Sequence, residues 1–252
     1  MKRFCITLVL VGALCLAGIA ASVQAQDTGL TAAQILDKVD DAINGPKDQS
    51  YTVRLVLIDK GGSQKTREAM MLQKGRDRRL VRFISPADQR GIAFLSLPGD
   101  VQYLYLPAFK KVRRIATSVK NTNFAGTDFT YEDLAAAKWS DSWVPSIRNR
   151  DQDTTVLELT PRPGKTVGYS KQIVTIQNES FYPVRVECYD MSGALSKVLT
   201  REDVKQVQGY WVAMTTTMED LKKQHKSQMV TYDLKLDSGV GDDKFTERSL
   251  SQ

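Results

Sequence analysis

Three carboxylates fall close together in the stretch Asn123-Phe-Ala-Gly-Thr-Asp-Phe-Thr-Tyr-Glu-Asp-Leu-Ala135: Asp128, Glu132 and Asp133. Acids this near one another, beside a glycine, can hold a divalent cation, work as an acid/base pair, or open a helix. A calcium loop draws many oxygen ligands from regularly spaced positions around a glycine. These three acids, with Phe129 and Tyr131 interleaved, do not supply that set. Paired-carboxylate hydrolysis needs two acids facing one pocket, and no second acidic cluster is identifiable in the chain. Capping accounts for more of the residues. Thr130 is a good N-cap, Glu132 and Asp133 occupy the first turn where the helix dipole favours negative charge, and Phe129 and Leu134 are spaced as a hydrophobic staple. This predicts a helix from Tyr131 to about Lys138.

Other reactive side chains are few. The single histidine, His225, opens a Lys-rich strand and reads as a solvated turn position. Without a second histidine or a nearby cysteine, transition-metal sites lack ligands. Cys188 alternates with Val184 and Val186 and reads as a buried structural thiol. No phosphate loop, nucleophile elbow or dinucleotide fingerprint occurs. The expectation is a protein with no metal, no cofactor and no catalytic residues. Hydrolysis of a lipid ester through Asp128 or Glu132 is the enzymatic alternative, short of a nucleophile and base.

The elements that must position these residues begin after a leader. Lys2 and Arg3 precede an uncharged apolar run from Phe4 to Ala21, followed by small residues, with Val23 and Ala25 before a cut after Ala25. That is the order of a cleavable secretory signal, so residues 1–25 are set aside and 26–252 are expected to form a single domain. Cys5 and Cys15 leave with the leader. Leu14 stands where lipid attachment at Cys15 would require a small residue. Cys188 then remains alone, which excludes an intramolecular disulfide despite an export route that permits one. The leader holds two of the 35 basic residues and none of the 29 acidic ones, leaving +4 beyond it. The basic residues are scattered among acids, unlike a nucleic-acid-binding surface.

Ile35, Leu36, Val39, Ala42 and Ile43 form one helical stripe opened by Thr31 and stopped at Asn44-Gly45-Pro46. Beyond it, about a dozen short segments rich in Val, Ile, Tyr, Thr and Leu are separated by turn residues. Short connections imply antiparallel neighbours. The predicted fold is mainly β with a few helices: one large curled antiparallel sheet, an unclosed or half barrel. Its concave face would be covered by the N-terminal helix and a helical lid.

Alternation selects the residues of an apolar concave face. Tyr51, Val53, Leu55 and Leu57 form one wholly apolar set, and Val230, Tyr232, Leu234 and Leu236 share a side of the last strand. The candidate cavity residues are Val53, Leu55, Leu57, Met70, Leu72, Phe83, Phe94, Tyr103, Tyr105, Val174, Val186, Tyr232 and Leu234. One three-turn helix cannot cover so wide a face. The large apolar residues Phe124, Phe129, Tyr131, Leu134, Trp139 and Trp143 either complete the core or form a movable lid, segment 116–143, over a space that a ligand fills.

Two strings carry a resemblance. Residues 91–115, GIAFLSLPGDVQYLYLPAFKKVRRI, followed by NFAGTDFTYEDL, resemble the outer-membrane lipoprotein-sorting protein family, relatives of the periplasmic carrier LolA, within a superfamily that also includes LolB, LppX and RseB. The N-terminal helix, the strand series and the closing DDKFTERSL agree in order. The resemblance implies an unclosed β-barrel that shields acyl chains in the periplasm and performs no catalysis. It implies lipid or lipoprotein acyl chains as ligands, an inner- or outer-membrane protein as partner, and a monomer. Because the superfamily also holds a sensor of envelope stress, a periplasmic sensor or adaptor of lipid state is the alternative.

Overall fold

A computed structural model describes residues 29–252. The expected leader and its cut after Ala25 lie outside the described residues. The first helix, α1 (Ala32–Ile43), is opened by a capping box in which Thr31 Oγ1 accepts from Gln34 N–H and the Gln34 side chain accepts from Thr31 N–H. Ile35, Leu36 and Val39 on one side of it are buried.

Thirteen strands follow among the described residues. The first six are β1 (Asp48–Ile58), β2 (Gln64–Lys74), β3 (Arg78–Ser85), β4 (Ala93–Leu97), β5 (Val101–Leu106) and β6 (Lys111–Arg114). After the short helix α2 (Tyr131–Leu134) come β7 (Trp143–Arg150), β8 (Thr154–Pro161), β9 (Lys171–Gln177), β10 (Pro183–Tyr189), β11 (Leu195–Val207), β12 (Tyr210–Asp220) and β13 (His225–Leu236). All pair antiparallel in one sheet, as two meanders joined where β1 meets β13. Strands β6 and β7 are its two free edges, so the sheet is not closed into a barrel.

The sheet nevertheless curls tightly. Within α2, Tyr131 packs 5.6 Å from the Phe94 ring of β4, while Asp133 accepts a hydrogen bond from Tyr169 just before β9. Eight strand spacings separate β4 from β9 in the sheet order, or about 38 Å if flat. One helical turn touches both, so the two halves fold toward each other around it. The main core cluster fills this inner face, with residues from α1, the strands and α2.

The sheet also has a covered outer face. Phe245 and Leu250 of the C-terminal segment pack on Leu72, Leu80, Ala93 and Leu95, and Arg82 donates to the carbonyls of Ser249 and Gln252. Strands β2 to β5 therefore bury apolar side chains on both sides.

Two elements differ from the sequence expectation. Strand β7 was not anticipated: it carries Pro145, and Val144 and Ile147 are exposed. An edge strand tolerates proline because one side makes no ladder bonds, and it lacks the alternation that marks a half-buried strand. Helix α2 stops at Leu134 instead of about Lys138. The Leu134 carbonyl, which would receive Lys138 N–H in a longer helix, accepts from Arg79 Nη1 at 3.1 Å instead.

Candidate functional site

Residues 115–142 connect β6 to β7, the two free edges, and cross the inner face as a strap. Three of its carboxylates, Asp128, Glu132 and Asp133, have fastening tasks. Asp128 is 1% exposed; its Oδ2 accepts from Ser227 Oγ at 2.7 Å and lies 2.6 Å from His225 Nδ1. Its backbone N–H donates back to Ser227 Oγ, and its carbonyl accepts from Lys197 Nζ at 2.6 Å. Asp133 closes the α2 capping box with Thr130 and accepts from Tyr169. Glu132 accepts from Gly168 N–H at 2.9 Å. Farther along, Asp40 of α1 accepts from the backbone of Trp139 and Ser140.

His225 is thus not the solvated turn residue expected from its neighbours. Register places it opposite Asp220 on the inner face, under the strap, a position that only the tertiary crossing creates. Serine, histidine and aspartate meet here, but not in the order of a nucleophilic triad. There the histidine takes the serine proton; here both Ser227 and His225 hold the carboxylate. Cys188 is buried, and desolvation pushes its thiol well above the ordinary range, which suppresses thiolate chemistry.

Aromatic packing holds the first half of the strap. Phe124 stacks on Phe83 at 5.5 Å and contacts Phe94 and Tyr131 at 5.9 and 5.5 Å. Arg67 Nη1 donates to the Ala125 carbonyl. Phe83, Phe94, Phe124 and Tyr131 therefore lie in a closed cluster, together with Leu55, Leu57, Val174 and Val186.

Beside that cluster the strap leaves space. A cavity of about 190 Å³ lies between the C-terminal end of α1, the middle of the sheet and α2. Of the residues selected from alternation, Val53 and Leu234 line it, as do Phe129, Leu134 and Trp139 from the strap. Trp143 is buried at the start of β7 rather than ending the strap. Four others face away: Leu72 is buried in the outer cluster, with Met70, Tyr103 and Tyr105 packed against it. Period 2 divides a strand into two faces but cannot say which is inner when both are apolar. Tyr232 also faces out, opposite Thr52, because β13 holds one extra residue between Lys235 and Tyr232, with Asp233 at φ 52°. Such a bulge reverses the side-chain parity on either side of it.

Tyr51, placed on the apolar set of β1 by alternation, also lines the cavity; residues missed from sequence include Met71, Tyr182, Leu199, Met229, Arg79 and Arg201. A signal for Met71 existed: the five-residue loop 59–63 sets Tyr51 opposite Met71, not Met70. On the other side of α2 lies a larger cleft of about 610 Å³ with Gln102, Lys120 and Glu132 in its wall. Burial, reinforced by Asp133, raises the Glu132 carboxyl to about 7, against the opposing bond from Gly168 N–H.

Comparison with known proteins bears on what such a strapped half-barrel is. A domain described as an outer membrane lipoprotein-sorting protein domain, from Vibrio parahaemolyticus, is 30% identical, with a TM-score of 0.75 over 86% of this chain and 98% of that one. The chain belongs to the outer-membrane lipoprotein-sorting protein family. A profile of a family of uncharacterized proteins also matches residues 75–252. Within the same fold, a DUF1329 family protein from Desulfovibrio piger is 25% identical with a TM-score of 0.80, over 87% of this chain and 99% of that one. A LolA superfamily protein from Nitrosomonas europaea, 24% identical over 87% and 99% of the two chains, shares the fold at a TM-score of 0.73. No curated protein matches the sequence.

Proposed function

We propose that this member of the lipoprotein-sorting family is a periplasmic carrier that shelters acyl chains of a lipoprotein or lipid and moves them between membranes or membrane machines, without catalysis. The mature chain, residues 26–252, acts as one binding unit, and the strap is its gate. One observation carries this reading: the connection between the free edges lies over a cavity whose lining includes Tyr51, Val53, Met71 and Met229, and polar bonds as well as aromatic packing hold it there. Sheltering each methylene from water contributes about 0.8 kcal/mol, so a carrier needs an apolar interior and also a way to let go. At about 190 Å³, the cavity is below the roughly 300–1,000 Å³ usual for ligand pockets. A chain enters only when the strap lifts; the strap is held by side chains and short turns and not by the ladder bonds of the sheet, which would let it open before the sheet does.

The test is to purify the mature protein from periplasmic extract, identify bound lipid by native mass spectrometry, and incubate the loaded protein with acceptor vesicles. A carrier yields bound acyl lipid that passes to the vesicles. Protein free of lipid, or bound lipid that never transfers while a membrane partner's affinity changes, sinks the carrier reading; the latter outcome is that of a sensor.

A further inference from the structure

We propose that Arg79 and Arg201 form a receptor for an anionic head, so that the cavity takes a carboxylate or phosphate attached to an apolar chain; this rests on the carrier reading. Both arginines sit on the inner face, Arg79 opposite Gln73 and Arg201 opposite Thr216, and both line the same cavity. Their partners are neutral. Arg79 donates to Gln73 Oε1 and the Leu134 carbonyl. Arg201 Nη1 donates to the Pro183 carbonyl at 2.8 Å, and its guanidinium lies 5.9 Å from the Tyr182 ring centre. Among the described residues, neither forms an ion pair. The acid that shares the lining, Asp133, is occupied by Thr130 and Tyr169.

Buried charge is costly unless paired or hydrogen-bonded, and the fold meets this differently at other inner-face cations. Lys197, another inner-face cation, stands opposite Asp220. Arg67 lies over the Phe83 ring inside the packed cluster. Around the cavity Arg79 and Arg201 share a lining in which the one acid, Asp133, bonds to neither of them, and burial and the neighbouring Arg79 charge both depress the Arg201 pKa. An incoming anion relieves both. The guanidinium fork matches carboxylate and phosphate oxygens, and Tyr51, Val53, Met71 and Met229 offer the adjoining apolar wall for the chain.

The test compares three ligands with one chain: dodecanoate, dodecyl phosphate and dodecanol, titrated into the mature protein and read by tryptophan fluorescence, since Trp139 lines the cavity. At least one anion is expected to bind about tenfold or more tightly than dodecanol, and the tighter of the two assigns the head as carboxylate or phosphate. Arg201→Gln should remove that preference. Equal affinity for all three in the wild-type chain overturns the receptor while leaving the carrier reading intact; that comparison needs no variant to fold. An anion preference that survives in both Arg201→Gln and Arg79→Gln also overturns it. Binding of none of the three overturns the carrier reading with it.

Discussion

His225 Nδ1 lies 2.6 Å from Asp128 Oδ2, joining the start of the last strand to the middle of the strap. Ser227, two residues along the same strand, holds the same oxygen. Strand β13 is central in the sheet, next to β1, so this fastening ties the strap to the middle of the sheet and not to either edge.

Removing that fastening should be expensive. Asp128→Ala leaves the Ser227 hydroxyl and His225 to find new partners in a buried site, while Lys197 keeps its bond to the backbone carbonyl, and the change is expected to cost about 2–3 kcal/mol. Ser227→Ala, which keeps the carboxylate's bond to His225, should cost about 1 kcal/mol. Urea unfolding of both variants checks the order; equal costs would show that Asp128 is not the hub.

The aromatic half gives a second contrast. Phe124 is fully buried among Phe83, Phe94 and Tyr131, whereas Phe109 is 63% exposed. Phe124→Ala should destabilise by about 3–5 kcal/mol, while Phe109→Ala should stay within about 0.5 kcal/mol of wild type. Thermal and urea unfolding would distinguish them directly.

Glu132 makes stability depend on pH. Its folded pKa of about 7 exceeds its unfolded value near 4.5, so the folded state binds this proton more tightly. The stability it contributes is complete below pH 4.5 and is lost as pH rises through 7. Glu132→Gln should therefore gain stability relative to wild type at pH 8 and show a smaller gain, or none, at pH 5. Urea midpoints at the two pH values measure the difference; a larger relative gain at pH 5 would refute the sign.

Cys188 should resist modification. With the thiol buried and its pKa raised, iodoacetamide at pH 8 should alkylate the folded protein far more slowly than protein in 8 M urea. Mass spectrometry of timed samples gives the two rates, and similar rates would contradict the burial.

Local signals in the sequence identified much of this fold, and long-range ones were hidden for definable reasons. Thr31 and Thr130 could be recognised as caps because a cap needs only residues three positions away. The strand series was visible because turn residues punctuate it. What Leu72 and Tyr103 face was not, because the cover over them is supplied by Phe245 and Leu250 at the far end of the chain. Tyr232 was misplaced by a single extra residue in β13. The His225 partnership and the pairing of Arg79 with Arg201 across the cavity depend on the curl of the sheet and the path of the strap, neither of which any local pattern encodes.

Amide hydrogen exchange across residues 116–142, with and without an added long-chain phospholipid, tests the gating strap most directly. The expected result is exchange at least about tenfold faster than in β1 and β13, with protection that changes when lipid is added. Strap amides as protected as those of β1 and β13 in both states would contradict it.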